Sequence, residues 1–290
     1  MTQPNATAVV LWMTGALLSF SATAVSVRAL SKSIGIFDIL ACRSLAGMLI
    51  LLALALVSPA SRADLRPRRV RLHLMRNLVH FGGTYAWAVG VTLLPLTTVF
   101  ALEFTTPAWV ALLAVVMLGE RMTTSRAGSI LCGLIGTLVI LRPGFETLQM
   151  ASLVVLASAL AFAVTTIATK KLTATESTFS ILLWMNVMQL PLNLAGSDVG
   201  FWMRLDAAHI WPLLGLCIGG LVSHVCLTNA YRHGDATMVV PLDFLRVPLI
   251  ALVGWQVYGE VVEPFVVLGT VVVVAGLVWN LQAEARGVTA

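Results

Sequence analysis

The sequence predicts an all-α, polytopic membrane protein of ten transmembrane helices, arranged as two inverted five-helix repeats. Three observations lead there. Of 290 residues, 59% are hydrophobic and only 11% charged, with a mean hydropathy of +0.94; a soluble domain of that length needs far more polar cover. Ten apolar runs follow one another at lengths near the roughly 20 residues that cross a bilayer. Finally, the stretch from His80 to Glu120 occurs a second time, from His224 onward.

The ten runs fall over 8–30, 36–57, 74–92, 96–118, 126–141, 151–170, 178–195, 211–231, 236–257 and 264–281. The first follows MTQPNATA, which lacks a basic leader region, and it continues to Leu30 without a cleavage signal, so it reads as a spanning helix. The loops are tight and marked by Gly, Pro and charge, as in Leu93-Leu94-Pro95 and His233-Gly234-Asp235. The fifth run is short and Gly-rich (Gly128, Gly133, Gly136), as is the tenth (Gly269, Gly276), and small residues let such helices pack closely. Cys42, Cys132, Cys217 and Cys226 lie in apolar runs with no metal or redox spacing, so they read as small buried hydrophobes rather than disulfide partners.

The repeat sets the domain organisation. His80, Thr84 and Trp87 return as His224, Thr228 and Tyr231, and Pro95 to Glu120 aligns without a gap on Asp235 to Glu260, ending both times in Gly-Glu. Phe20 and Phe37 fall on Phe162 and Phe179. Residues 1–142 and 143–290 are therefore the two repeats of one domain, and five helices in each turn the second upside down. Ten helices put both termini on one side of the membrane. With that side cytoplasmic, inner segments hold twelve Lys and Arg, among them Arg62, Arg76, Arg126 and Lys170, against Arg28, Lys32, Arg142 and Arg204 outside. The net charge of +5 thus marks cytoplasmic loops, not a nucleic-acid partner.

Four charged residues stand out in the interior of predicted spans: Arg43, Glu103, Asp243 and Arg246. Each costs roughly 2.5–3.5 kcal/mol to insert at a helix centre, so such groups are paired or face a wet cavity. Asp243 and Arg246 stand three apart, on one face of the ninth helix. They form either a structural ion pair or a site that opens to receive a substrate ammonium and carboxylate. Glu103 occupies the matching place on the fourth helix, with Thr106 where the second copy has Arg246, so the site is asymmetric. Arg43, near the end of the second helix, reads as a snorkelling side chain or a further site charge.

His80, Thr84 and Trp87 share one helical stripe by their i, i+4, i+7 spacing, as do His224, Thr228 and Tyr231. Each His either satisfies an interhelical hydrogen bond or binds substrate or a proton. Trp87, Tyr231, Phe20 and Phe162 serve as core, or as the apolar wall of a central cavity. Pro107, Pro241 and Pro248 kink the fourth and ninth helices, or hinge them beside the binding site. Trp109, Trp184, Trp211, Trp255 and Trp279 read as interfacial or lipid-facing anchors.

Ten helices in two inverted sets, the aromatic closing each third-helix motif and the Gly-Glu ending the fourth and ninth helices resemble the drug/metabolite transporter superfamily, EamA branch. Within it the chain is similar to the YddG-type exporters of aromatic amino acids. That resemblance implies a bacterial inner-membrane secondary transporter that exports small amphipathic metabolites, amino acids among them, by alternating access through a central cavity, with no cofactor. The implied partners are the solute and the lipid bilayer. No nucleotide-binding, hydrolase or metal motif occurs, so ATP-driven pumping and metal-dependent hydrolysis lack support. An intramembrane acid/base enzyme using the two histidines, or a scaffold without a solute path, remain the rivals.

The inverted repeat makes a topological prediction. A cysteine replacing Glu260 or Glu263 should react with an impermeant thiol reagent added outside, and one replacing Arg121 with reagent added inside. The reverse pattern contradicts the inversion.

Overall fold

The computed structural model describes residues 5–94, 96–142, 150–259 and 261–285. Pro95, Glu260 and Arg286, used above in the repeat and the charge count, lie outside the described residues. Regular structure among the described residues is helical: α1 (Ala6–Leu30), α2 (Ile36–Val57), α3 (Pro59–Ala63), α4 (Val70–Leu93), α5 (Leu96–Glu103), α6 (Thr106–Leu118), α7 (Thr124–Leu141), α8 (Met150–Thr173), α9 (Thr178–Ala195), α10 (Ile210–His233), α11 (Ala236–Asp243), α12 (Arg246–Tyr258) and α13 (Pro264–Ala285). Two short 3₁₀ turns, Val199–Arg204 and Ala207–His209, precede α10.

Nine helical stretches among the described residues are long and apolar enough to cross a membrane, with α5 and α6 combining as one and α11 and α12 as another. The third expected span, 74–92, is present as α4, but its composition keeps it out of that set. At about 1.5 Å per residue its 24 residues are long enough. Its N-terminal part carries His73, Arg76 and Asn77, all buried against protein rather than set in a loop. Arg76, counted above in a cytoplasmic segment, is a helical, buried side chain.

The described chain forms two compact units. The first takes in the chain up to Met13, Gly82–Ile167 and the chain from Ala230; the second is Thr14–Phe81 with Ala168–Asn229. Helices α1, α4, α8 and α10 each contribute to both.

In the first unit α7 packs on α13 through the expected glycines. A methyl group at Gly136 would lie 2.6 Å from the Gly269 carbonyl oxygen, and one at Gly276 2.4 Å from the Cys132 Cβ, so the backbones are too close for side chains there. The Gly-Glu motif has a mechanical explanation. Gly119 adopts a left-handed conformation (φ 69°) that ends α6. Glu120 is thereby delivered to the N-terminus of α11, where its carboxylate accepts the Ala236 and Thr237 N–H groups at 2.8 and 2.9 Å. Those amides have no partner inside α11, and an acid suits that end of a helix. Beside it, buried Arg126 donates to Glu284 (2.7 Å), Thr237 (2.8 Å) and Asp235 (3.2 Å).

The second unit repeats the device with other acids. Glu176 accepts the Arg68 and Arg69 N–H groups, just ahead of α4, at 2.7 and 2.9 Å. Asp38 accepts from the Gly35 and Asp198 amides and the Ser197 hydroxyl, at 3.0, 2.9 and 2.8 Å. Helices α2 and α9 pack with Gly47 beneath Asn186, and Asn193 donates to Ser44 (3.0 Å). Leu51, Leu182, Leu183 and Met185 form the apolar cluster beside them. Of the five tryptophans read as interfacial or lipid-facing anchors, Trp211, Trp255 and Trp279 are exposed, Trp109 is half-buried with its indole nitrogen enclosed, and Trp184 donates its indole N–H to the Leu65 carbonyl at 3.1 Å.

Gly136→Val should lower stability by about 1–3 kcal/mol through overpacking at α13. Gly82→Ala, at a position with open space around it, should leave stability unchanged or slightly raised. Thermal unfolding of the detergent-solubilised protein separates the two; equal melting temperatures would refute the close α7–α13 seam.

Candidate functional site

Four of the expected site residues meet in the first unit, where two spans tighten. The helix of the fourth span tightens into a turn at Phe104-Thr105, and that of the ninth at Phe244-Leu245, each passing through an i to i+3 bond: Thr105 N–H to Leu102 at 3.1 Å and Leu245 N–H to Leu242 at 3.2 Å. Glu103 therefore closes α5, Asp243 closes α11 and Arg246 opens α12. The Arg246 guanidinium donates to Asp243 at 3.1 Å and lies 3.8 Å from the Glu103 carboxylate. The other Glu103 oxygen accepts the Trp87 indole N–H at 2.8 Å. Beneath the guanidinium, at 4.9 Å, lies the Phe104 ring, whose π-face attracts a cation.

This arrangement answers the sequence's choice between a closed pair and an open site with a third geometry. One arginine serves two carboxylates, leaving the cluster one negative charge in excess when all three are ionised. The side chains are not sealed: Arg246 and Asp243 are each 26% exposed and Glu103 14%. Such a cluster can accept an ammonium at the carboxylates or a carboxylate at the arginine by exchanging one internal partner for a solute group.

Around it, Trp87 packs on the Leu94, Val99 and Val155 cluster. Thr84 is half-buried one turn earlier on α4. Phe162 lies over Gly83, where an added methyl would come within 3.2 Å of its ring, and Ser158 donates to the Gly83 carbonyl at 2.8 Å. Tyr231 is buried and hydrogen-bonded to Thr166. Pro107 and Pro248 stand in the first turns of α6 and α12, where a missing N–H costs little. Pro241 is inside α11 and withdraws the amide that would have bonded the Thr237 carbonyl.

The remaining expected residues belong to the second unit. His224 meets the Phe20 ring edge-on, with centroids 6.1 Å apart, and Thr228 is buried one turn further along α10. His80 is half-buried on α4. The charges acting on both imidazoles are those of Arg43 and Arg76. Each His-Thr-aromatic stripe is thus shared between units, its histidine in the second and its aromatic in the first.

Sequence reasoning missed three features. The Trp87–Glu103 bond joins residues it had treated separately. The Arg246–Glu103 contact spans 143 positions, with no local signal to reveal it. Arg76 was legible, since it stands four residues before His80 on the same stripe, but a basic residue near a predicted helix end reads first as a loop charge.

Comparison with known proteins follows from this geometry. The model of the EamA-like transporter family matches residues 7–142 and 149–282. A riboflavin transporter of Rhizobium johnstonii is 29% identical over 278 residues, covering 95% of this chain and 91% of that protein. An S-adenosylmethionine uptake transporter of Rickettsia felis is 24% identical over 278 residues, 96% and 94% of the two chains. A pseudopaline exporter of Pseudomonas aeruginosa is 25% identical over 270 residues, 91% and 92%. A solved crystal structure shares the fold with a TM-score of 0.78 over 98% of this chain and 99% of its own, at 16% identity. These names include both uptake and export and no aromatic amino acid, so the narrower likeness to aromatic amino-acid exporters gains no support from them. The family model, by contrast, accounts for nearly the whole sequence, and the chain belongs to the EamA-like transporter family.

Proposed function

We propose that the chain is a secondary transporter of the inner bacterial membrane, moving amphipathic organic solutes by alternating access. In this reading α4 supplies a tenth span, the two repeats are inverted, and both termini are cytoplasmic. The observation that carries it is Arg246 held between Asp243 and Glu103 at the tightened turns of two spans. A transporter needs polar groups at membrane depth that can exchange partners, and irregular backbone there is tolerated where it lines a cavity. Trp87, Thr84, Tyr231 and Phe162 supply the neighbouring apolar and hydroxyl surface. Pro107, Pro241 and Pro248 flank the turns that would flex as the site changes access.

The relatives' solutes refine the substrate class. Riboflavin and S-adenosylmethionine are both ring systems joined to a polar chain, larger than most amino acids. Aromatic surface beside an ionic cluster suits that combination, so solutes with a flat ring and a polar or zwitterionic tail fit better than small amino acids. Transport names throughout the relatives also favour this reading over an acid/base enzyme or a scaffold.

Two sets of variants test it in proteoliposomes. Arg246→Ala strands two carboxylates and should lower solute flux at least tenfold, the scale of a lost charge-assisted partner of about 1.4 kcal/mol or more. Asp243→Asn leaves Arg246 its contact with Glu103 and should have a smaller effect. Trp87→Ala and Tyr231→Ala should weaken flux of riboflavin more than flux of alanine. Wild-type rates in folded Arg246→Ala protein, or equal losses for both solutes, would refute the site.

A further inference from the structure

The second unit carries buried positive charge that its own acids do not neutralise. Arg76 donates from Nε to Thr169 (2.9 Å), from Nη1 to Asn77 (2.8 Å) and from Nη2 to the Met185 sulfur (3.5 Å). These are neutral groups: they satisfy its donors and leave its charge. Arg43, on α2, is half-buried with its stem against Gly220 of α10, where a methyl group would lie 2.7 Å from the arginine Cδ. Among the described residues it makes no hydrogen bond and no ion pair, and its nitrogens are not sealed from the surroundings. The opposing group that acts on it is the Cys217 thiol, a group that is ordinarily neutral at pH 7. His80 and His224 both feel the two guanidiniums and bring no negative charge.

The nearby acids are engaged elsewhere. Asp38 is taken by the Gly35 and Asp198 amides and by Ser197, and Glu176 by the Arg68 and Arg69 amides. A guanidinium cannot shed its proton to escape a poorly solvating site. Each such charge inside a span carries an insertion cost of roughly 2.5–3.5 kcal/mol. The complementary chemistry is an anion's, and the planar fork of arginine matches a carboxylate or phosphate at two oxygens.

We propose that Arg43, on α2 with its stem against Gly220 of α10, receives an anionic group of the transported solute, a carboxylate or a phosphate. This deepens and rests on the transport reading, and it gives Arg43 a task other than snorkelling. Gly220 is then a specificity-determining position, because its missing side chain makes room for the arginine stem.

Two fluorescent pairs test the proposal by anisotropy on the purified full chain: tryptophan against tryptophanamide, which differ by a carboxylate, and riboflavin 5′-phosphate against riboflavin, which differ by a phosphate. Wild-type protein should hold the charged member of one pair about tenfold more tightly than its partner, and the responding pair identifies the anion. Arg43→Gln should abolish that preference while leaving the neutral member's affinity unchanged. Arg43→Lys, which keeps the charge and loses the fork, should retain part of it, and it serves as the deciding variant if Arg43→Gln does not fold. No preference in either pair, or an undiminished preference in folded Arg43→Gln or Arg43→Lys, overturns the proposal. The same compounds assayed for flux separate the two readings: a preference lost with Arg43 but accompanied by no flux would uphold the anion site and sink transport.

Discussion

A charge brought into hydrocarbon must bring its partner with it, and the contact among Arg246, Asp243 and Glu103 is where this fold meets that constraint most directly. The guanidinium stays ionised at any relevant pH, so the two acids are required before the fourth and ninth spans can hold it at depth. Their positions at the ends of α5 and α11 depend on the tightened turns that follow. Trp87 then fixes the carboxylate that Arg246 only loosely holds. The same contact is reversible in principle, because a solute ion can replace either acid. In the proposed transport function, a structural need and a binding role would fall on one set of atoms.

Elsewhere the constraint is met by acids serving backbone. Glu120, Glu176 and Asp38 each satisfy amide groups that begin or precede a segment distant in sequence, and none of the three depends on a basic side chain alone. Arg126 differs in having two carboxylates and a hydroxyl around it, as befits a buried cation. Set against that company, Arg43 and Arg76 stand apart, since among the described residues neither has an acid.

Much of the fold could be read from the sequence because its signals are local. Apolar runs gave the helices to within a few residues, and the i, i+3 spacing of Asp243 and Arg246 anticipated their ion pair even though a turn lies between them. Gly136, Gly269 and Gly276 announced close packing. What stayed hidden depends on pairs formed across the chain: Arg246 with Glu103, Glu120 with the start of α11, Glu176 with the amides ahead of α4. Hydrophobic periodicity reports which face is apolar and says nothing of which polar group will be opposite. The Gly-Glu motif was visible as a repeat, but its meaning needed the left-handed φ of Gly119 and the direction in which that turn sends the carboxylate. The burial of Arg76 was hidden for a related reason, since its neutral partners on α8 and α9 are distant in sequence.

The central claim is that this chain is a carrier whose site is exposed to one side at a time. Counterflow tests it most directly: wild-type proteoliposomes loaded with excess unlabelled riboflavin, S-adenosylmethionine or tryptophan are diluted into trace label of the same compound, without nucleotide. The account predicts transient accumulation of label above equilibrium for at least one solute, because each outward passage returns the site for an inward one. Label entry that merely equilibrates regardless of internal solute, or that matches protein-free vesicles for all three, would contradict it.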